Sequence, residues 1–214
     1  MRKKDIAIVG AGGFGREVLW QLRDADSLAE QYNVLGFVDD DPELLGKTLS
    51  GITVVGNIQW LIEYSQSICA AICIGNPSAR KNVYDRLSQN PLVSFPNIIA
   101  KDVKFSESVE FGQGCIICLS TIITVDIRIG NFVIINLDCT IGHDAVLSDF
   151  VTLHPSVNVS GNVHIETCSE IGTGVNIIQG KIVGEYTTIG AGASVVRDIL
   201  EPGTYVGVPA RKIK

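Results

Sequence analysis

From Ile99 to Val195 a large apolar residue stands at every sixth position, seventeen times without a slip. The series runs through Phe105, Phe111, Ile117, Ile123, Ile129, Ile135, Ile141, Leu147, Leu153, Val159, Ile165 and onward in the same step. A helix has a period of 3.6 and a long strand a period of 2, so neither produces a spacing of six. The position four further on is mostly small or β-branched, as at Val103, Val109, Ile127, Val133, Ala145, Val151, Val157 and Val163, with Lys181 the awkward member. The position just after the large residue is often glycine, as at Gly112, Gly130, Gly142, Gly172, Gly184 and Gly190. Each hexad therefore reads as a short strand with two inward side chains, followed by a tight corner. If three such sides close a coil, residues eighteen apart stack, and the stretch holds five to six coils of a parallel β-helix around one aliphatic core. A β-sandwich would need turns of irregular length. Because nothing interrupts the beat, any active site must come from side chains on the faces or corners, or from a neighbouring subunit.

The residues ahead of the hexads read differently. A buried strand is expected over residues 5–9, followed by Gly10-Ala11-Gly12-Gly13-Phe14-Gly15 and a helix over 16–29 whose apolar side carries Val18, Leu19 and Leu22. Strand, glycine loop and helix form the opening unit of a nucleotide-binding α/β domain, in which Gly10, Gly12 and Gly13 let backbone N–H groups approach a phosphate. The same spacing also serves a purely structural turn. A second strand over 34–38 ends in Asp39-Asp40, where a ribose or base edge is met at the carboxyl end of a parallel sheet. Further expectations are a turn-rich connection with 52–55 extended, a short helix over 58–62, a central strand over 67–75, a helix over 77–87 and a short strand over 92–95. Pro96-Asn97 marks the boundary, giving a Rossmann-like half domain over 1–96 and the β-helix with its tail over 97–214. At roughly 95 residues the front domain is too short for the two halves that NAD requires, and suits one nucleotide.

With 46% hydrophobic and 19% charged residues the chain reads as a compact soluble protein. A net charge of −6 without a Lys/Arg block argues against nonspecific nucleic-acid binding. The start MRKKDIAIVG has no signal-peptide pattern and no run reaches about 18 apolar residues, so a cytoplasmic protein without a membrane span is expected. Cys69, Cys73, Cys115, Cys118, Cys139 and Cys168 have no framework spacing and read as reduced thiols. The hexad phase turns Cys115 inward and sets Cys118 on a corner, which argues against a shared zinc.

Three histidines occur, His143, His154 and His164. They occupy different hexad phases and do not converge on a metal within one chain. His143 lies two past Ile141, so it should point away from the core, and Asp144 follows it. Histidine is the natural proton acceptor near neutral pH, and a carboxylate within reach fixes its tautomer. Adjacent strand residues point to opposite sides, so Asp144 serves His143 only if the chain turns between them. Eighteen residues on, Gly161 stacks over His143 with an N–H available to an oxyanion. Asn136 lies one side back. A surface histidine without a role is the competing reading.

These residues resemble a known family. The hexads, the run Gly142-His143-Asp144-Ala145-Val146, Ser160-Gly161-Asn162-Val163, Ile189-Gly190-Ala191-Gly192-Ala193 and the ending Val206-Gly207-Val208-Pro209-Ala210-Arg211 look like the left-handed β-helix acyltransferases. The front glycine loop with Asp39-Asp40 narrows the likeness to the branch of sialic acid O-acetyltransferases and nucleotide-aminosugar N-acetyltransferases, over nearly the whole chain. The resemblance implies a homotrimer with acetyl-CoA in the groove between neighbouring solenoids, held by Gly190, Ala191, Pro209 and Arg211. It implies His143 as general base, Asp144 as its acidic partner, Asn136 as an orienting group and the Gly161 N–H as oxyanion donor. It also implies Gly10, Gly12, Gly13, Asp39 and Asp40 as binders of a UDP-type nucleotide, and no metal. The implied reaction is acetyl transfer to the amine of a nucleotide-linked sugar of the UDP-4-amino-sugar type, in surface-glycan precursor synthesis. O-acetylation of sialic acid or another sugar, and a non-catalytic β-helical sugar-nucleotide binder, are the alternatives. Two positions depart from the family pattern: Phe14 where histidine is frequent, and Val208 where asparagine is common.

Overall fold

The computed structural model describes residues 3–24 and 26–214. The first two residues, and residue 25 within the helix expected over 16–29, lie outside the described residues. The chain forms two compact units, residues 1–101 and 102–214.

In chain order the first unit contains β1 (Lys4–Val9), α1 (Gly13–Asp24), α2 (Asp26–Gln31), β2 (Tyr32–Val38), β3 (Thr48–Leu49), β4 (Ile52–Gly56), α3 (Ile58–Ile62), β5 (Ile68–Ile72), α4 (Pro77–Leu87) and β6 (Val93–Ser94). One sheet of order β3-β4-β2-β1-β5-β6 results, parallel throughout except for the β3–β4 hairpin. β1 and β5 are central, and a strand covered on both faces reads as a continuous apolar run rather than an alternation. Ile6, Ala7 and Ile8 are accordingly fully buried, and all five residues of β5 are buried. The helix expected over 16–29 corresponds to the described helices α1 and α2, on either side of residue 25. α1 begins inside the glycine loop at Gly13 and buries Val18, Leu19 and Leu22, and α2 takes up the described chain again at Asp26. α4 starts where expected: Asn76 caps it by accepting from Ala79 N at 2.9 Å, and Pro77 occupies the first turn, where its missing N–H costs nothing. From β1 the chain steps outward through β2 to β4, whereas β5 and β6 lie on the other side of β1. The strand order thus reverses at β1 and β5, and the crevice beyond their carboxyl ends is where such sheets take ligands.

The second unit is a parallel β-solenoid of two-residue strands in three sheets. Each strand pairs eighteen residues on: Ile117 with Ile135, Ile123 with Ile141, Ile129 with Leu147. The inward column of Ile117, Ile135, Leu153, Ile171 and Ile189 has no exposed surface. Many corners carry a non-glycine residue in the left-handed region, among them Ser120, Asp126, Asp138, Asp144, Ser156 and Asn162, with φ between 54° and 63°. Asp and Asn tolerate that region better than most L-residues because the short polar side chain bonds locally.

The hexad phase misleads at the two ends. Phe105, assigned inward, is 48% exposed and Phe111 half-buried, because no earlier coil covers theirs; the two rings meet edge-on at 5.3 Å. Lys181 is half-buried, with Nζ 4.0 Å from Asp198 where the last coil loses its beat. The tail then closes the open edges. Gly203–Val206 pairs parallel to Thr187–Ile189, Arg211–Lys212 returns antiparallel along it, Ile199 bridges Val183, and Gly207 and Ala210 bond the backbone of Ser194. An unpaired edge of the final coil is thereby covered. All six cysteines are buried, and none is in a disulfide.

Candidate active site

His143 and Asp144 follow Ile141 at the corner that ends its face. The left-handed backbone at Asp144, φ 59°, turns the chain between the two residues, so both side chains leave on the same side. Asp144 Oδ2 lies 2.7 Å from His143 Nδ1. A carboxylate only accepts, so the ring proton is on Nδ1 and Nε2 is left as the acceptor. The two side chains are 50% and 52% exposed, outside the core and open to a partner.

The imidazole rests on Gly161 in the next coil. A Cβ added there would lie 2.5 Å from Nε2 and 2.6 Å from Cε1, so only glycine leaves room for the ring. The His143 carbonyl accepts from Asn162 N at 2.8 Å, which locks the two coils together beside the ring. Gly161 is buried and its N–H makes no hydrogen bond among the described residues. Gly142 contributes what the hexad reading missed: a Cβ on it would stand 2.6 Å from Gly161 N, so its absence leaves that N–H uncovered. The signal was in the pattern, since Gly112, Gly130 and Gly172 approach the coil above in the same way. An acceptor nitrogen, a fixed tautomer and a bare N–H in adjacent coils are the parts that a proton acceptor beside an oxyanion donor requires.

Asn136 is not brought to this corner. It follows Ile135, at the opposite end of the face that carries Ile141, and its Oδ1 accepts from Leu137 N at 2.7 Å. His154 stacks on the Asn136 corner and pairs with Glu170 at 2.8 Å, whereas His164 is exposed on another face. Among the described residues no cluster of His, Cys, Asp and Glu could hold a metal ion.

Gly190, Ala191, Pro209 and Arg211 gather at the far end of the solenoid. A Cβ on Gly190 would meet Val206 Cγ1 of the tail at 2.7 Å, Ala191 and Pro209 are exposed, and Arg211 lines a 190 Å³ cavity with Arg197 and Lys212. Arg197 and Lys212 were not singled out in the sequence. Coils rise by about 4.8 Å, so Gly190 lies roughly 12 Å along the axis from His143.

In the first unit the glycine loop stands at the switch point. Gly10 has φ 102° and donates to Val38 O at 2.8 Å, and a Cβ on Gly15 would sit 1.9 Å from Gly10 O, so the turn needs both glycines. Gly12 and Gly13 face open space. The acidic pair lines the crevice and also braces it. Asp39 accepts from Ala11 N at 2.8 Å and Asp41 N at 3.0 Å, tying the glycine loop to β2. Asp40 accepts from Ile58 N at 2.9 Å and from Arg86 Nη1 at 3.0 Å, tying β2 to α3 and α4. A 160 Å³ crevice lined by Gly10, Asp39, Asp40 and Ile74, and a 300 Å³ cavity lined by Asp39, Asp40, Leu45 and Trp60, flank these carboxylates.

Known proteins resemble both units. The profile of the PglD N-terminal domain matches residues 5–87. The acetyltransferase domain of PglB from Neisseria gonorrhoeae, solved in complex with acetyl coenzyme A, superposes with a TM-score of 0.89 at 29% identity, over 99% of this chain and 100% of that one. WeeI from Acinetobacter baumannii gives 0.88 at 30% identity, over 99% and 100%. PerB from Caulobacter crescentus, solved with CoA and GDP-perosamine, gives 0.88 at 28%, over 98% and 97%. The serine acetyltransferase of Bacillus licheniformis is 35% identical over 86 residues, 39% of this chain; the chain spans about 40% of the length of that curated relative. No described helix is long and apolar enough to cross a membrane. Solved relatives matched from end to end, with the hexad solenoid and the half-sized α/β unit in the same order, place this chain in the left-handed β-helix (hexapeptide-repeat) family of acetyl-CoA-dependent sugar and nucleotide-sugar acetyltransferases.

Proposed function

We propose that the protein transfers the acetyl group of acetyl-CoA to the amine of a nucleotide-linked amino sugar, of the UDP-4-amino-sugar type, for surface-glycan precursors. The carrying observation is the His143 imidazole lying on Gly161 with Asp144 on its Nδ1. The thioester is already activated, so the protein has to orient two reactants, accept one proton and stabilise one oxyanion.

In this mechanism the amine attacks the thioester carbonyl while His143 Nε2 takes its proton, and Asp144 stabilises the imidazolium. The Gly161 N–H donates to the oxyanion of the tetrahedral intermediate. Collapse expels the coenzyme A thiolate, which His143 reprotonates. The donor lies in the groove between neighbouring solenoids: its thioester reaches His143 of one, and its far end meets Gly190, Ala191, Pro209 and Arg211, of which Gly190 stacks in register three coils beyond Asn136 and so belongs, like Asn136, to the neighbour. Two of the solved relatives were crystallised with acetyl coenzyme A or CoA, and one of these also with a GDP-linked sugar, which supports both halves of the reading. The protein acts as a homotrimer in the cytoplasm. Asn136, on the next corner round the prism, enters a site only from a neighbouring subunit.

The test is thiol release from acetyl-CoA with UDP-, dTDP- and GDP-linked amino sugars and, separately, sialic acid. Turnover with an amino-sugar nucleotide and none with sialic acid is expected. Turnover with sialic acid alone would select O-acetylation. Silence with every acceptor, in a protein shown to be folded and trimeric, would refute the enzyme reading.

A further inference from the structure

Asn136, His154, Gly172 and Gly190 each follow the inward residue of one stacked face, Ile135, Leu153, Ile171 and Ile189, and so form a single column up one corner of the solenoid. Asn136 turns its carboxamide back to Leu137 N, and the two glycines have no side chain. His154 is therefore the one member of the four whose side chain extends from the corner. Its Nε2 lies 2.8 Å from Glu170 Oε1. The two side chains are 33% and 26% exposed, more covered than His143 and Asp144 yet still open to a ligand.

A carboxylate only accepts, so the neutral ring carries its proton on Nε2, and Nδ1 is an acceptor with no hydrogen bond among the described residues. This is the reverse of His143, whose free nitrogen is Nε2 at the tip of the ring, where it can reach a reacting group. At His154 the free nitrogen is the one next to the main chain. Glu170, which holds the ring, stacks in register between Thr152 and Thr188 on the face. A nitrogen so placed suits a standing hydrogen bond better than the shuttling of a proton.

In the reading above, this column lines the donor groove from the neighbouring subunit, with Gly190 near the far end of the donor. A three-fold axis along the stack leaves heights unchanged. His154 is eleven residues beyond His143 in a coil of eighteen, so it stands about 3 Å further along the stack. Coenzyme A carries its first amide two carbons from the sulfur, roughly 4 Å away. A thioester at His143 with its arm directed toward Gly190 brings that amide to the level of His154.

We propose that His154 of the neighbouring copy, its tautomer set by Glu170, accepts the N–H of the donor amide nearest the thioester and so holds the arm of the donor in place. The proposal rests on the donor-groove reading and adds a binding residue to it.

The experiment is calorimetry on the full chain with coenzyme A and with an analogue carrying an oxygen ester in place of that amide, which removes the N–H; neither needs an acceptor sugar. Wild-type protein should bind the analogue about three- to tenfold more weakly than coenzyme A. His154→Ala should bind coenzyme A more weakly by a similar factor and should no longer distinguish the two ligands, a coupling that a merely structural role would not produce. Glu170→Gln keeps the shape and removes the charge that sets the tautomer, and should distinguish them less than wild type does. If His154→Ala does not fold, Glu170→Gln decides. Equal binding of both ligands by wild type, or an undiminished penalty for the analogue in the deciding variant, overturns the proposal and leaves the acetyl-transfer reading standing. A folded wild-type protein that does not bind coenzyme A ends both.

Discussion

Replacing Gly161 with Ala adds one methyl group to the proposed site, and the geometry says what it does. The new Cβ would lie 2.5 Å from His143 Nε2, whereas ordinary contact begins near 3.4 Å, so the ring must retreat by about 0.9 Å. Gly161 is not in the left-handed region, so Ala adopts its backbone without strain. The displaced group is the end of an exposed side chain, so folding should change by no more than about 0.5 kcal/mol. Catalysis should not be so tolerant: a 1 Å misplacement of a reacting group costs on the order of 10²-fold, within the 10²–10⁴-fold that a general base supplies. Thiol release with the preferred acceptor should therefore fall about 100-fold in kcat, or roughly 2.7 kcal/mol, with the acetyl-CoA KM near wild type. Steady-state kinetics and thermal melts on the same preparation read both effects. A Gly161→Ala enzyme with undiminished kcat would mean that the imidazole is not held against this glycine during turnover, and the proposed proton transfer would have to be abandoned.

Other expectations follow from the same coordinates. His143→Ala should lower kcat by about 10²–10⁴-fold and spare coenzyme A affinity measured by calorimetry. Asp39→Ala removes the acceptor of two backbone N–H groups that water can partly replace; a loss of about 1–2 kcal/mol in urea unfolding is expected, with weaker nucleotide binding. Leu153→Ala, in the fully buried column, should cost about 2–5 kcal/mol by the same assay. Burial, reinforced by the nearby Asp138 carboxylate, pushes the Cys139 thiol up to about 11 against the opposing pull of backbone hydrogen bonds. At pH 8 it should react with an aromatic disulfide about 10²-fold more slowly than in urea. Because the folded value lies above the unfolded one, the contribution of the neutral thiol to stability is complete below about pH 9 and is lost as pH rises toward 11. Cys139→Ala should flatten that alkaline decline in pH-dependent melts.

The sequence was most legible where one physical rule acts alone. A hexad beat has a single geometric solution, so the stacking of Ile123 under Ile141 and of His143 beside Gly161 followed by counting. The rule fails where its premise does: Phe105 and Phe111 keep the phase but have no coil beneath them, and Lys181 stands where the beat breaks. Asp144 was ambiguous for a different reason. Strand alternation predicted that it would face away from His143, and only a left-handed φ, which no spacing reveals, turns it back. In the front unit the fingerprint residues were visible, but the division of labour among them was not. Asp39 and Asp40 were visible as carboxylates at the crevice, where they stand, but their bonds to Ala11, Ile58 and Arg86 depend on partners 18 to 46 residues away. The complete burial of Arg80 in α4 gave no signal, since an arginine on a helix is ordinarily a solvated one.

The chemistry proposed here occupies two adjacent turns, between Ile141 and Asn162, and the chain on either side repeats one gauge. A whole eighteen-residue turn could be added to or deleted from the stack before Asp126 without moving an atom of that pair of turns relative to each other. The same edit between Gly161 and Gly190 would change the span available to the donor by about 5 Å. The distance to the anchoring end is therefore an adjustable ruler, graduated in turns, and lengthening it by one mark is a direct way to ask how long a donor this scaffold can be made to measure.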